Sequence, residues 1–77
     1  MPEVTIRDES IRLGQLLKLA GIAEDGASAR MLLADEAVQV NAETETRRGR
    51  QLAPGDLVRV DLPTGLRHLQ VTAAPPV

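Results

Sequence analysis

The 77-residue sequence contains no phenylalanine, tyrosine or tryptophan, and it contains no cysteine. Proteins that bind single-stranded nucleic acid stack bases on aromatic side chains, at about 1–3 kcal/mol per base. A stacking sheet platform and sequence-tolerant binding of single strands are therefore disfavoured. The lack of cysteine excludes disulfides and thiolate metal sites, and it leaves the redox compartment undefined.

Long apolar runs and enzyme motifs are also missing. The longest apolar stretch is far shorter than the ~20 residues that cross a bilayer, and residues 1–4 lack the basic start and apolar run of a signal peptide. There is no phosphate-cradling glycine motif and no zinc-ligand spacing, and Ser10, Ser28 and His68 fall in different predicted elements. We expect a non-catalytic, cytoplasmic protein that uses no cofactor, metal, membrane or small-molecule substrate.

A chain of this length forms one small domain. Folding at this size buries only about 60% of the unfolded surface, which leaves no room for a deep cleft between two lobes. The apolar content of 43% must form a core without any aromatic ring. We predict a single domain over residues 1–77, with its core at about 4–72 and a frayed tail at 73–77.

The hydrophobic period changes along the first half of the chain. Alternation over residues 4–7 predicts a strand. Apolar residues then recur at i, i+3, i+4 and i+7 from Leu13 to Ala20, which predicts a helix that Gly21 ends. Gly14 would lie in the first turn of this helix, where its low helix propensity costs least.

The second half of the chain predicts one more helix and several strands. Asp25 is a suitable N-cap for a helix that runs to about Asp35. A period of two then indicates strands, with turns at Asn41-Ala42 and at residues 53–56 and 63–65. The order strand, helix, helix, strands predicts an α+β domain, with two helices packed on a small antiparallel sheet.

Cationic side chains are concentrated between Thr46 and Leu52. Arg47, Arg48 and Arg50 are three of nine cations in a chain whose net charge is −2, and they lie at or beside a predicted hairpin. A guanidinium presents a planar fork of donors that suits phosphate oxygens. We interpret the cluster as a phosphate-binding site for RNA; the alternative is a solvated, solubilising turn.

Four other residues are candidates for RNA contact, and each has a structural alternative. Lys18 lies where a cation complements the dipole of the first helix. Arg30 lies early on the second helix, where it could point outward to a phosphate. Ser28 could bind phosphate beside free amides or complete the cap with Asp25. Asn41 could serve its turn through side-chain hydrogen bonds.

Several short motifs follow one another in a fixed order. They are Leu16-Leu17-Lys18-Leu19-Ala20-Gly21, Gly26 with Ala29-Arg30, Val38-Gln39-Val40-Asn41, and Glu45-Thr46-Arg47-Arg48-Gly49-Arg50 followed by Pro54-Gly55-Asp56. Together they resemble the small RNA-binding domain named after ribosomal small-subunit protein S-four, and most closely its free-standing bacterial YbcJ-like form. The resemblance covers about residues 4–72 and implies the alpha-L RNA-binding motif, in which two helices pack on a small antiparallel sheet.

The resemblance also implies a partner. Structured RNA, of the ribosomal or transfer RNA class, would contact the second helix and the loop beyond the Val38-Gln39-Val40-Asn41 strand. Two departures from the family pattern are visible. Asp25-Gly26 stands where many members have Ser-Arg, and Glu36 and Ala42 stand where many have glycine. A positive φ at Ala42 would carry strain of about 1 kcal/mol.

We expect a module that docks on folded RNA through phosphate and 2′-hydroxyl contacts and reads shape more than sequence. The partner would be structured RNA of the ribosome or ribosomal RNA class, and the oligomeric state is left open. The alternative is a protein-interaction adaptor that keeps the fold with weak or no RNA affinity, favoured by the net negative charge. The RNA interpretation requires that Arg47, Arg48 and Arg50 face outward on one side, free of carboxylates.

Overall fold

The computed structural model describes residues 3–75, which fold into two helices and seven strands. The helices are α1 (Leu13–Leu19) and α2 (Gly26–Ala34), and the strands are β1 (Glu3–Ile6), β2 (Ile11–Arg12), β3 (Val38–Val40), β4 (Glu43–Thr44), β5 (Gln51–Leu52), β6 (Leu57–Leu62) and β7 (Gly65–Ala73). This order confirms the predicted α+β class. Neither helix is long and apolar enough to cross a membrane.

The ends of the chain bear on two sequence predictions. β7 extends to Ala73, and the Ala74 amide donates a hydrogen bond to the Ile6 carbonyl at 2.8 Å. Regular structure and its hydrogen bonds therefore reach into the segment predicted as a frayed tail. The remainder of that tail, Pro76 and Val77, lies outside the described residues. Met1 and Pro2, where the prediction that the chain has no signal peptide begins, also lie outside them.

The two helices begin in different ways. α2 starts with a side-chain cap, because the Asp25 carboxylate accepts a hydrogen bond from the Ser28 amide at 2.8 Å. α1 has no side-chain cap from Arg12. The loop between β4 and β5 caps it instead, since the Leu13 and Gly14 amides donate to the Arg50 and Arg48 carbonyls at 2.8 and 3.0 Å. Gly14 thus lies in the first turn, as predicted.

The main sheet has five strands in the order β1-β7-β6-β3-β4. β7, β6, β3 and β4 are antiparallel neighbours, as predicted, whereas β1 joins the edge of β7 in parallel, with Val4 opposite Val71. The sheet is therefore mixed. β2 and β5 form a second, two-stranded antiparallel sheet, with Ile11 opposite Leu52, and β2 was not predicted from the sequence.

One aliphatic core joins the helices to the main sheet. The sheet contributes alternate residues of its strands, and α1 and α2 contribute their apolar faces. The members of the core are Ile6, Leu13, Leu16, Leu17, Ala23, Ala29, Leu33, Val38, Val40, Leu52, Val58, Val60, Leu69 and Val71. This packing leaves the cationic loop between β4 and β5 at the surface, next to the start of α1.

The turn between β3 and β4 carries the backbone strain expected at Ala42. Asn41 and Ala42 have φ values of 50° and 71°, in the left-handed region. Asn41 tolerates this conformation, and its side chain bonds the Leu57 amide at 3.0 Å and Asp56 Oδ1 at 3.1 Å. Alanine has no such compensation.

We expect Ala42→Gly to raise the free energy of unfolding by about 1 kcal/mol, because glycine adopts positive φ without a Cβ penalty. For a domain of this size that corresponds to a rise in Tm of roughly 4–8 °C, measurable by far-UV circular dichroism. Ala34→Gly, at the exposed last residue of α2, is the control and should lower stability by no more than about 0.5 kcal/mol, because the penalty of glycine is smaller at a helix end than in its middle. A loss of stability in both variants would show that the turn at Ala42 is not strained.

Candidate nucleic-acid interface

The arginine-rich loop, residues 45–50, passes from one sheet to the other. It lies beside the β3–β4 hairpin, as predicted, and leads from β4 of the main sheet to β5 of the small sheet. Its backbone lies against α1, because the Arg50 and Arg48 carbonyls accept from the Leu13 and Gly14 amides. The loop is thereby fixed to a helix end.

A buried carboxylate lies inside this loop. Glu45 is only 6% exposed, and its Oε2 accepts hydrogen bonds from the Thr46 and Arg47 amides, both at 3.0 Å. Arg47 also donates from Nε to Oε2 and from Nη2 to Oε1, each at 3.2 Å. Arg50 Nη1 donates to Oε1 at 2.9 Å. One carboxylate therefore binds two of the three clustered arginines.

These bonds keep Glu45 ionised. The hydrogen bonds from the Arg47 side chain, followed by those from the Arg47 amide and Arg50, lower the pKa of Glu45 from 4.5 to about 2. The same pairing raises the pKa of Arg47. The expectation that all three guanidiniums are free of carboxylates is wrong for Arg47 and Arg50, which share the charge of Glu45. The triad retains one net positive charge.

The Arg48 side chain does not bond Glu45 and lies over Gly14 at the start of α1. A Cβ added at Gly14 would stand 2.5 Å from Arg48 Cγ, so the aliphatic part of Arg48 occupies the space that a side chain at Gly14 would fill. Arg48 is exposed and makes no ion pair within residues 3–75. It remains available to a ligand.

Arg48 forms one wall of a cleft of about 300 Å³ between the loop, α1 and the start of α2. The cleft is lined by Arg12, Gly14, Gln15, Lys18, Gly26, Ala29, Arg48 and Gly49. Three of these residues are cations and none is an acid. Asp25, at the α2 N-cap, precedes Gly26 of the cleft wall, and its pKa is lowered chiefly by the hydrogen bond from the Ser28 amide and to a lesser extent by Lys18.

The structure brings only some of the predicted site residues together. Lys18 and Arg48 line the cleft. Arg30 is exposed on α2, one turn beyond Gly26 of the cleft wall, but does not line it.

The other two predicted residues lie elsewhere. Ser28 lines a separate groove, and its amide completes the cap with Asp25. Asn41 is bonded within the β3–β4 turn. The structural alternatives considered for these two residues are therefore realised.

Two charged residues of the site were missed. Arg12 lies on the short strand β2, which the sequence did not predict, and only the fold brings it to the cleft. Glu45 was not among the predicted site residues, although it lies two residues before Arg47. The signal was present in the sequence, since Glu45, Arg47 and Arg50 are spaced closely enough for one loop to join them.

The lowered pKa of Glu45 predicts a loss of stability in acid. A carboxyl whose pKa falls on folding stabilises the folded state above its unfolded pKa, and this contribution disappears as pH falls through the folded pKa. We therefore expect the stability of the parent protein to decline between about pH 5 and pH 2, measured by urea unfolding. Glu45→Gln should show a flatter curve over this range. Some dependence should remain in the variant, because the pKa of Asp25 is also lowered.

The exposed neighbour Glu43 provides the control. Its side chain makes no hydrogen bond or ion pair in the described part of the chain. Glu43→Gln should therefore follow the curve of the parent protein. If Glu45→Gln follows it too, Glu45 does not stabilise the fold through its charge.

The structure combines two helices on a mixed sheet with a cationic cleft at one helix end. A family model described as S4 domain matches residues 4–65, and the chain belongs to this family, whose members generally bind RNA. The chain is also similar to a Bacillus subtilis (strain 168) protein named "Probable ribosome maturation protein RlbA". The two are 43% identical over 58 residues, which cover 75% of this chain and 82% of that protein. These similarities confirm the family resemblance seen in the sequence motifs.

Proposed function

We propose that this protein binds structured RNA, without catalysing a reaction, through the cleft that contains Arg12, Lys18 and Arg48. The main support is the convergence of three cations on a cleft that no carboxylate lines, in a chain whose net charge is −2. Screening at physiological salt confines charge effects to about 8 Å, so this local arrangement outweighs the overall charge.

The chemistry of the cleft favours the sugar–phosphate backbone. Guanidinium and ammonium groups bind phosphate oxygens, and Gln15 adds to the cleft wall an amide donor and acceptor that can pair with a hydroxyl. With no aromatic side chain in the sequence, base stacking contributes nothing. Recognition therefore depends on the shape of folded RNA and on its 2′-hydroxyls.

The proposed partner is ribosomal RNA, within the ribosome or one of its precursors. The relative from Bacillus subtilis is named as a ribosome maturation protein, and the S4 domain family generally binds RNA. A protein with a small cationic cleft would act as an accessory factor that stabilises an RNA conformation. The exposed Arg47 would add a contact at the margin of the cleft, weakened by its pairing with Glu45.

The test is binding of fluorescently labelled RNA, followed by anisotropy over a range of salt concentrations. The probes are purified small- and large-subunit ribosomal RNA, bulk transfer RNA and poly(U). Three phosphate contacts predict a log–log salt slope of about −2 to −3 for structured RNA, with weaker binding to poly(U). Equal or tighter binding to poly(U), or no binding to any RNA, would refute the proposal. A preference for transfer RNA would retain RNA binding and change the partner.

A second candidate function, protein docking, is favoured by a groove on another face of α2. The groove has a volume of about 630 Å³ and contains Met31, which is 66% exposed, beside Leu62. Asp35, Glu36 and Asp61 also line it, with no cation among the lining residues. This combination suits a basic protein segment with an apolar side chain.

Capture from lysate of the native host, with and without ribonuclease, separates the two functions. Partners that survive digestion in the parent and are lost with Met31→Gln would favour docking on a protein. Partners lost on digestion would favour docking on RNA.

A further inference from the structure

We propose that Glu45 is a positioning residue of the RNA interface. Its carboxylate holds the rest of the arginine-rich loop, residues 46–50, against α1, so that Arg48 projects into the cleft. The inference rests on the proposed RNA-binding function and deepens it, because it assigns a requirement for a negative charge to a site that binds a polyanion. Glu45 would contact no RNA itself.

Hydrogen bonds to the Glu45 carboxylate hold the two ends of the loop together. Five hydrogen bonds of 2.9–3.2 Å converge on its two oxygens, from two backbone amides and two guanidiniums. The amides belong to Thr46 and Arg47, which start the loop, and a guanidinium of Arg50 closes its far end. Glu45 thus fixes both ends of a five-residue segment.

Backbone hydrogen bonds connect this segment to α1. The Arg50 carbonyl accepts from the Leu13 amide, and the Arg48 carbonyl accepts from the Gly14 amide. These bonds satisfy amides at the start of the helix that no side chain caps. The loop backbone can make them only while its own turn keeps its shape.

Arg48 is placed by its contacts with Gly14. Its carbonyl is bound to Gly14, and its side-chain stem lies over the same glycine, where a Cβ would stand 2.5 Å from Cγ. These two contacts direct the side chain into the wall of the cleft. Arg48 is therefore held by contacts that Glu45 maintains, although the two side chains share no hydrogen bond or ion pair.

A positioning role for Glu45 and simple electrostatics predict opposite effects of Glu45→Gln on the affinity for RNA. Glu45→Gln changes the net charge from −2 to −1, and loss of a carboxylate near a phosphate-binding site should strengthen binding to RNA. If Glu45 acts by positioning, the same change should weaken binding, because the loop and Arg48 lose their fixed arrangement.

The experiment compares Glu45→Gln with Glu43→Gln. The two variants have the same charge change two residues apart, but Glu43 is exposed and makes no side-chain contact of this kind within residues 3–75. Affinity for labelled small-subunit ribosomal RNA is measured at about 0.15 M salt, on proteins whose folding is verified by far-UV circular dichroism. We expect Glu45→Gln to weaken binding about tenfold, equivalent to the loss of one charge-assisted phosphate contact. Glu43→Gln should bind as tightly as the parent or slightly more tightly.

Two further measurements separate positioning from general destabilisation. The Gly14 amide, followed by nitrogen-15 NMR and hydrogen exchange, should lose protection in Glu45→Gln while amides in β6 and β7 keep theirs.

Gly14→Ala leaves Glu45 intact but displaces Arg48, so it should weaken RNA binding by a similar factor. Combining it with Glu45→Gln should add little, because both changes act on the same contact.

The results distinguish a failure of the positioning role of Glu45 from a failure of the proposed RNA binding. Unchanged or tighter binding by folded Glu45→Gln would overturn the inference, and so would parent-like binding by Gly14→Ala if Glu45→Gln does not fold. Failure of the parent protein to bind RNA would refute the proposed function instead. In that case, retention of Gly14 protection in Glu45→Gln would separately refute the control of the loop by Glu45.

Discussion

Replacing Lys18 and Arg48 together by glutamine is expected to weaken binding of structured ribosomal RNA about a hundredfold at physiological salt. Both residues line the cleft, and the loss of a charge-assisted contact to phosphate reduces affinity by about tenfold or more. The slope of log affinity against log salt should become shallower by about 1.5, since each lost phosphate contact removes roughly 0.7–0.9. Fluorescence anisotropy over a salt series measures both quantities.

The matched control removes two arginines from another surface. Arg59 and Arg67 are exposed on β6 and β7 and do not line the cleft. Arg59→Gln with Arg67→Gln changes the net charge by the same amount, and we expect the affinity to fall by less than about threefold, as for distant screened charges. An equal loss in both double variants would mean that RNA responds to overall charge and that the cleft is not the site.

Leu16→Ala should cause a large loss of stability. Leu16 is fully buried in α1, and truncation of a buried leucine costs about 2–5 kcal/mol because the core relaxes only partly into the cavity. A 77-residue domain has a total stability of only about 4–12 kcal/mol. The core has no aromatic side chain that could move into the cavity, so the Tm of the variant should be much lower than that of the parent protein.

Leu19→Ala is the control in the same helix. Leu19 is 62% exposed, so its truncation should change the free energy of unfolding by no more than about 0.5 kcal/mol. Urea unfolding is followed by far-UV circular dichroism, because the protein has no tryptophan or tyrosine to provide fluorescence. Similar losses in the two variants would contradict the assignment of Leu16 to the core.

Local sequence signals predicted most of the fold. The period of the Leu13–Ala20 segment, the Asp25 cap and the turn residues at Pro54-Gly55 each depend on neighbours in the chain, and each prediction is confirmed. Strand partners depend on residues far apart. Alternation at residues 4–7 indicates a strand but does not specify parallel pairing with β7, and a strand of two residues such as β2 is too short to show a period.

The candidate site was predicted less completely, because part of it also depends on residues that are far apart in the sequence. Lys18 and Arg48 were identified because cations on a helix end and in a cluster are visible in the sequence. Arg12 reaches the cleft only through the pairing of β2 with β5. The pairing of Arg47 and Arg50 with Glu45 depends on a turn that folds the carboxylate inward, and hydrophobic patterns do not predict such a turn.

The parallel pairing of β1 with β7 affects how the chain can fold during synthesis. Residues 3–6 have their strand partners at residues 70–73, so β1 leaves the ribosome well before its partner β7 is synthesised. Contacts of such long sequence separation slow folding, and a strand without its partner is exposed to association with other chains. The nascent domain should therefore gain protection from proteases only after β7 has emerged, in one late step.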